Sequence, residues 1–258
     1  LLLGNKFSQD GTGSSLVLQM PVIATTQICC MGNSFSGVVD SRIHAQSASV
    51  VSFTNNTFGG AVAFEDSFSQ STLRFECNTI QLGVLFSTSW NAALLYFIGN
   101  DFVSSANNAI EFKDGAIGAG SHHLFADNRI DARGSSSNAI FYRSSTNIGS
   151  GASVNITNNT IFADETRYSF CALVDGGNIF LDGSNTLTSY VYVYFSSAAS
   201  GNLIHLRNSP DLYRLYVYGT DTISQSAFII EDCTFSYSLY LGFLGDVTST
   251  PISFRKVA

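Results

Sequence analysis

Val51-Ser52-Phe53-Thr54-Asn55-Asn56-Thr57-Phe58 is answered one repeat later by Leu73-Arg74-Phe75-Glu76-Cys77-Asn78-Thr79-Ile80, and again by Leu95-Tyr96-Phe97-Ile98-Gly99-Asn100-Asp101-Phe102. Each phrase alternates apolar and polar residues, runs into an Asn, and returns to an apolar side chain two residues later. The same step recurs at Asn5-Lys6-Phe7, Asn33-Ser34-Phe35, Asn128-Arg129-Ile130, Asn159-Thr160-Ile161 and Asn185-Thr186-Leu187. Cys233-Thr234-Phe235 keeps the apolar anchor and replaces the Asn. Spacings of 22 to 31 residues between asparagines mean a fixed step with a variable remainder. A solenoid has that signature, with one turn of chain per repeat and insertions confined to loops.

Alternation at period two describes a strand with one buried face. Counting Asn as zero, position −3 holds Cys30, Phe53, Phe75, Phe97, Phe125 and Ile156. A second strand follows in most repeats, at residues 61–64, 83–86, 109–112, 139–142, 171–174 and 192–194. The expected fold is therefore all-β: a right-handed parallel β-helix of about ten coils, each with three short strands, the hand following from the bias of parallel crossovers. Stacked amides at Asn33, Asn56, Asn78, Asn100, Asn128, Asn159 and Asn185 would form a ladder along the axis. Beside it, Asp101 is followed one coil later by Arg129, which predicts an exposed ion pair.

Residues 1–258 read as a single β-helix domain, a piece of a longer protein. Charged residues make up 12% of the chain and the net charge is −7, with no basic stripe, which argues against a nucleic-acid partner. No apolar run reaches the roughly 18 residues of a membrane-spanning helix, so no membrane insertion is expected within the segment. The five cysteines show no metal-ligand spacing and read as small core residues; no metal or cofactor is expected. Sequons at Asn55, Asn155 and Asn158 arise readily in Asn-rich turns and are expected to be poorly accessible.

Val51 to Phe58 and Val154-Asn155-Ile156-Thr157-Asn158-Asn159-Thr160-Ile161 resemble the repeat of the pectate-lyase-like right-handed parallel β-helix superfamily. That resemblance implies the fold and leaves the activity open, because lyases, hydrolases, tailspikes and adhesins share it. The Gly-Asn-x-Phe and Asn-Asn-Thr-Phe phrases, with low charge and abundant Val, Ser and Phe, are similar to the dispersed gene family surface proteins of trypanosomatids and their relatives. Membership would imply an extracellular or cell-surface protein with an adhesive role.

Two candidate sites follow. Glu111, Lys113 and Arg143 point outward on adjacent coils if Ile110 and Phe112 point inward. Two cations beside a carboxylate could serve β-elimination of a uronate polymer; ordinary surface charge is the stronger reading. His122 and His123, adjacent in a strand, face opposite ways and are a poor chelating pair. In the last third, Tyr192, Tyr194, Tyr216, Tyr218 and Tyr240 fall at alternate positions of successive coils. An exposed aromatic sheet there would suit a glycan or a host or cell-surface protein. The favoured expectation is a non-enzymatic scaffold for adhesion or display, the alternatives being a polysaccharide lyase or glycoside hydrolase and a segment of a larger fibre.

Overall fold

The alternating stretches are strands, and every pairing among them is parallel. In the computed structural model, residues 9–13, 23–24, 46–47, 104–107, 133–137, 144–145, 164–165, 171–172, 175, 184, 187–189, 196–198 and 211 lie outside the description; for 14, 20–22, 43–44, 163, 166–170, 173–174, 185–186 and 190 it covers the backbone alone. Eleven strands, from Leu2–Leu3 through Val50–Thr54, Thr72–Glu76 and Leu94–Ile98 to Ile252–Val257, form the sheet that leads into the Asn step. A short sheet of eight two- to four-residue strands follows the Asn, and a fourteen-stranded sheet closes the turn. Together they make a parallel β-helix of about nine turns.

Register holds without a slip where the phrases agree: Phe53 lies beside Phe75, Phe75 beside Phe97, and Phe97 beside Phe125. Strands in a sheet are roughly 4.8 Å apart, so identical rings in one column stack at that spacing. Phe53–Phe75 centroids are 4.9 Å apart and Phe75–Phe97 4.8 Å, with ring planes 17° and 8° apart. A second interior column, Phe64, Phe86, Phe112 and Tyr142, stacks at 5.2, 4.9 and 4.3 Å. All of these rings are buried.

The ladder is present, and its chemistry explains the turn. The Asn100 side-chain amide donates to Phe75 O at 2.9 Å and to Asn128 Oδ1 at 2.9 Å. Its own Oδ1 accepts both the backbone N–H and the side-chain amide of Asn78, at 2.9 and 3.0 Å. The same pattern links Asn33, Asn56, Asn78, Asn100, Asn128 and Asn159, and Asn5 joins at the start. Each buried amide thus satisfies backbone groups that the end of a strand would leave unpaired.

Asn185 is displaced from the expected column: the backbone register places it beside Thr160, one residue past Asn159, and its side chain lies outside the description. Asn159 donates its side-chain amide to Phe125 O and to Thr157 O in its own turn, at 2.9 and 3.0 Å. Further on, Arg207 pairs with Glu231, which puts Ser209 and Cys233 in the ladder column, and both are buried.

What does persist is the residue before the ladder. Gly4, Gly32, Asn55, Cys77, Gly99, Asp127, Asn158, Gly183, Asn208, Asp232 and Lys256 all have φ between 49° and 64°. Left-handed backbone favours Gly, Asn and Asp, and they fill nine of these eleven positions. At the opposite corner a second left-handed column precedes a run of small buried residues including Ser49, Ser71, Ser121 and Ser226. There a hydroxyl replaces the amide: Asn202 donates its side-chain amide to Ser226 Oγ at 3.2 Å.

The second-strand assignment also needs one correction. Ile140 pairs with Tyr168, so Thr166–Phe170 continues that column, whereas Leu173–Val174 pairs with Thr146–Ile148. Loop length before this sheet varies from coil to coil, and the apolar pattern alone does not fix which segment follows. Cys171 lies outside the description. Of the other cysteines, Cys30 stands in the Phe53 column with burial pushing its thiol up to about 11. All four described cysteines are free thiols, and Cys77 is exposed.

Candidate functional site

On the fourteen-stranded sheet, strands Tyr190–Phe195, Leu212–Gly219 and Phe235–Phe243 run side by side. Val191, Val193, Phe195, Leu215 and Val217 turn inward and are buried. Period two then sends Tyr192, Tyr194, Tyr216, Tyr218 and Tyr240 outward. Register sets Tyr192 beside Tyr216 and Tyr216 beside Tyr240; the second column is Tyr194 beside Tyr218. Rings in the first column stack at 5.0 and 4.4 Å, and Tyr194–Tyr218 at 5.7 Å, all within 10° of parallel.

The five expected tyrosines are therefore brought together on one face, but as half-covered rings, because each shields its neighbour. Tyr240, the outermost of the first column, is 44% exposed. Gly242 occupies the place after Tyr218 in the second column, and a Cβ there would come within 2.5 Å of the Tyr240 ring. The glycine lets Tyr240 lie flat across it. Partial burial, with the neighbouring Tyr240 adding, holds the Tyr216 phenol above the usual range. Alternation did not flag a third stack, Tyr213 on Tyr237 at 5.0 Å, with Arg214 4.5 Å above the Tyr237 ring. It sits where the register shifts between Leu212 and Arg214, and a bulge is invisible to a period-two count.

The other candidate constellation assembles differently. Ile110 and Phe112 are buried, while Glu111, Lys113 and Arg143 face out as expected. Arg143 Nε is bound to Glu111 Oε1, and Glu111 Oε2 accepts from the Asn108 amide at 2.8 Å. The guanidinium is thus engaged by the carboxylate and lies 5.8 Å from the Phe141 ring. Lys113 is exposed where the sheet register shifts between Phe86 and Ser87. Asn108 itself accepts both the backbone N–H and the side-chain amide of Asn138 at 2.9 and 2.8 Å, a short second amide ladder that fixes this corner. The cluster has the bonding of a structural corner.

His122 and His123 do face opposite ways. His122 is exposed and bonded to Ser153 Oγ at 2.7 Å. His123 is fully buried against Trp90, Phe112 and Tyr142, with its Nδ1 3.1 Å from the Tyr142 hydroxyl. Burial drives its pKa down to about 3. Among the described residues, no group of three or more His, Cys, Asp or Glu side chains could hold a metal ion, and no helix is long and apolar enough to cross a membrane. Asn55 and Asn158 are exposed rather than hidden in their turns, because the left-handed residue points away from the ladder.

No family model matches the chain, and no curated protein or solved structure matches it either.

Proposed function

We propose that the chain is a non-enzymatic β-helical scaffold of an extracellular or cell-surface protein, serving adhesion or display, with the tyrosine face as its contact surface. The observation that carries this reading is the pair of stacked tyrosine columns on the outside of three consecutive turns. Flat rings with outward hydroxyls offer both an apolar plane and hydrogen-bond donors, a combination suited to a glycan or to a host or cell-surface protein. Rigid stacking reduces the side-chain entropy that binding would otherwise cost. Kinship with the pectate-lyase-like superfamily, and within it with the dispersed gene family surface proteins of trypanosomatids, rests on the Asn-Asn-Thr-Phe phrases and is part of the same proposal.

Supporting the non-enzymatic side, Arg143 is occupied by Glu111. The test is incubation with a panel of uronate and neutral polysaccharides at neutral and alkaline pH, with and without calcium, following unsaturated product and reducing ends. No turnover is expected. Cleavage that disappears in Lys113→Ala or Arg143→Ala would overturn the reading and make this a carbohydrate-active enzyme.

A further inference from the structure

A concave surface lies on a different sheet, the one that leads into the ladder. Successive outward positions there are Leu124, Asn155, Phe180 and His205, set beside one another by the register. One step along each strand the outward column is Thr157, Asp182 and Arg207. Between these rows opens a cavity of about 410 Å³. Its apolar part is Leu124 with the Phe180 ring, against which His205 packs edge-on at 6.2 Å.

The polar rim is already organised. Arg207 donates from Nε and Nη2 to Asp182 Oδ2 at 3.0 and 2.8 Å, and Asn208 donates to Asp182 Oδ1 at 2.8 Å. Burial works against the charged form of Asp182, yet the Asn208 and Arg207 bonds hold its pKa below the usual range. It remains an ionised acceptor across the physiological range. His205 Nε2 is 2.9 Å from Glu231 Oε1. Asp182 and Arg207 therefore carry each other's counter-charge, His205 is engaged by Glu231, and an ionic ligand would have to displace one of these partners.

A ligand that fits this surface is neutral, with one apolar face and a rim of hydroxyls. We infer that the cavity is a saccharide site for a neutral pyranose. One face of the sugar ring lies on Phe180, and its hydroxyls meet Asp182, Arg207, His205 and Asn155. Planar side chains with fixed orientation suit vicinal hydroxyls, because the protein groups lose little freedom on binding. The volume falls in the range of roughly 300–1,000 Å³ typical of small-molecule sites. Four consecutive turns contribute to the cavity, so a solenoid can build it only where those coils agree in register. The site is independent of the tyrosine face, which lies on another sheet.

The experiment is saturation-transfer NMR on the full chain with the methyl glycosides of glucose, galactose and mannose and with N-acetylglucosamine. The inference expects transfer to the ring protons of at least one of the four. Affinity should fall by roughly tenfold in Phe180→Ala and in Asp182→Asn, and stay unchanged in Thr57→Ala, an exposed position on the eight-stranded sheet. Phe180→Leu keeps the apolar volume without the ring and replaces the alanine variant if that chain does not fold by circular dichroism. Absence of transfer from all four sugars, or transfer unaffected by both cavity substitutions, overturns the inference. Transfer lost in Tyr216→Ala would also overturn it, because the sugar would then sit on the other face.

Discussion

The early turns stack their rings inside; the late turns stack theirs outside. Around Phe53, Phe75, Phe97 and Phe125, aromatic columns fill the core and an unbroken amide ladder clamps the corner. Past Asn159 the same inward positions hold Leu181, Leu206 and Ile230, the ladder column holds Ser209 and Cys233, and the aromatics stack on the solvent side as Tyr192, Tyr216 and Tyr240. Stacking geometry is nearly the same in both places, because strand spacing alone sets it. What differs is the consequence: inside, the rings supply burial; outside, they supply a surface.

That contrast is broken most forcefully by truncating one ring of each kind. Phe75→Ala leaves a cavity in a fully buried column, an expected loss of about 3–5 kcal/mol. Tyr216→Ala, with the same number of stacked neighbours, should cost no more than about 1 kcal/mol, the size of cross-strand aromatic pairs on a sheet surface. Denaturant midpoints measured at constant slope decide between them; comparable losses would show that the outer stack is part of the core.

Acid separates the halves next. Neutral His123 is buried in the early, ring-filled half, with a folded pKa of about 3 against an ordinary value of 6.5. As pH falls, the unfolded chain takes up this proton first, so the stabilisation is complete above pH 6.5 and is lost between 6.5 and 3. At about 1.4 kcal/mol per unit the loss reaches about 5 kcal/mol. His123→Leu copies Leu95 in the neighbouring turn and should remove this part of the acid sensitivity; an unchanged pH profile would place the sensitivity elsewhere.

The ladder supplies the third comparison. Asn100→Ala strands two donors of Asn78 and the Phe75 carbonyl, and leaves Asn128 Oδ1 only the Asn100 backbone N–H. A net cost of about 3 kcal/mol is expected, from several buried groups at about 1–3 kcal/mol each with partial relief by water. Ser209→Ala, in the decayed half, should cost about 1 kcal/mol. Equal effects would mean that the column matters only through its backbone.

How much of this was legible follows from what repeats. Asn and Phe recur at fixed offsets, so the fold, the ladder from Asn33 to Asn159 and the pairing of Asp101 with Arg129 could be read directly, and the pair is found at 2.8 Å. The misplacement of Asn185 has a physical cause: the continuous signal is the left-handed residue before the ladder, and Asn serves that position as readily as the ladder itself. Aligning Gly183, Asn208 and Asp232 with Gly99 and Asp127 would have recovered the register. Outward alternation revealed the tyrosine face but neither the Tyr213–Tyr237 stack nor the cavity beside Phe180. A bulge hides the first, and the second joins residues about 25 positions apart whose neighbourhood depends on loop lengths.

The smallest expected effect belongs to that same ion pair. Asp101 and Arg129 are each about half exposed, so a double-mutant cycle should give about 0.5 kcal/mol, diminishing with added salt. A much larger coupling would mean that the pair, rather than the amides beside it, holds these two turns in register.

The adhesive scaffold reading meets its most direct test in solid-phase binding of the chain to a panel of immobilised polysaccharides and cell-surface proteins. Wild type is compared with a Tyr192→Ser, Tyr216→Ser, Tyr240→Ser triple variant whose circular dichroism matches it. The account predicts retention on at least one surface by the wild type and loss of that retention in the triple variant. Retention unchanged by the three substitutions, or no retention on any surface, would contradict it.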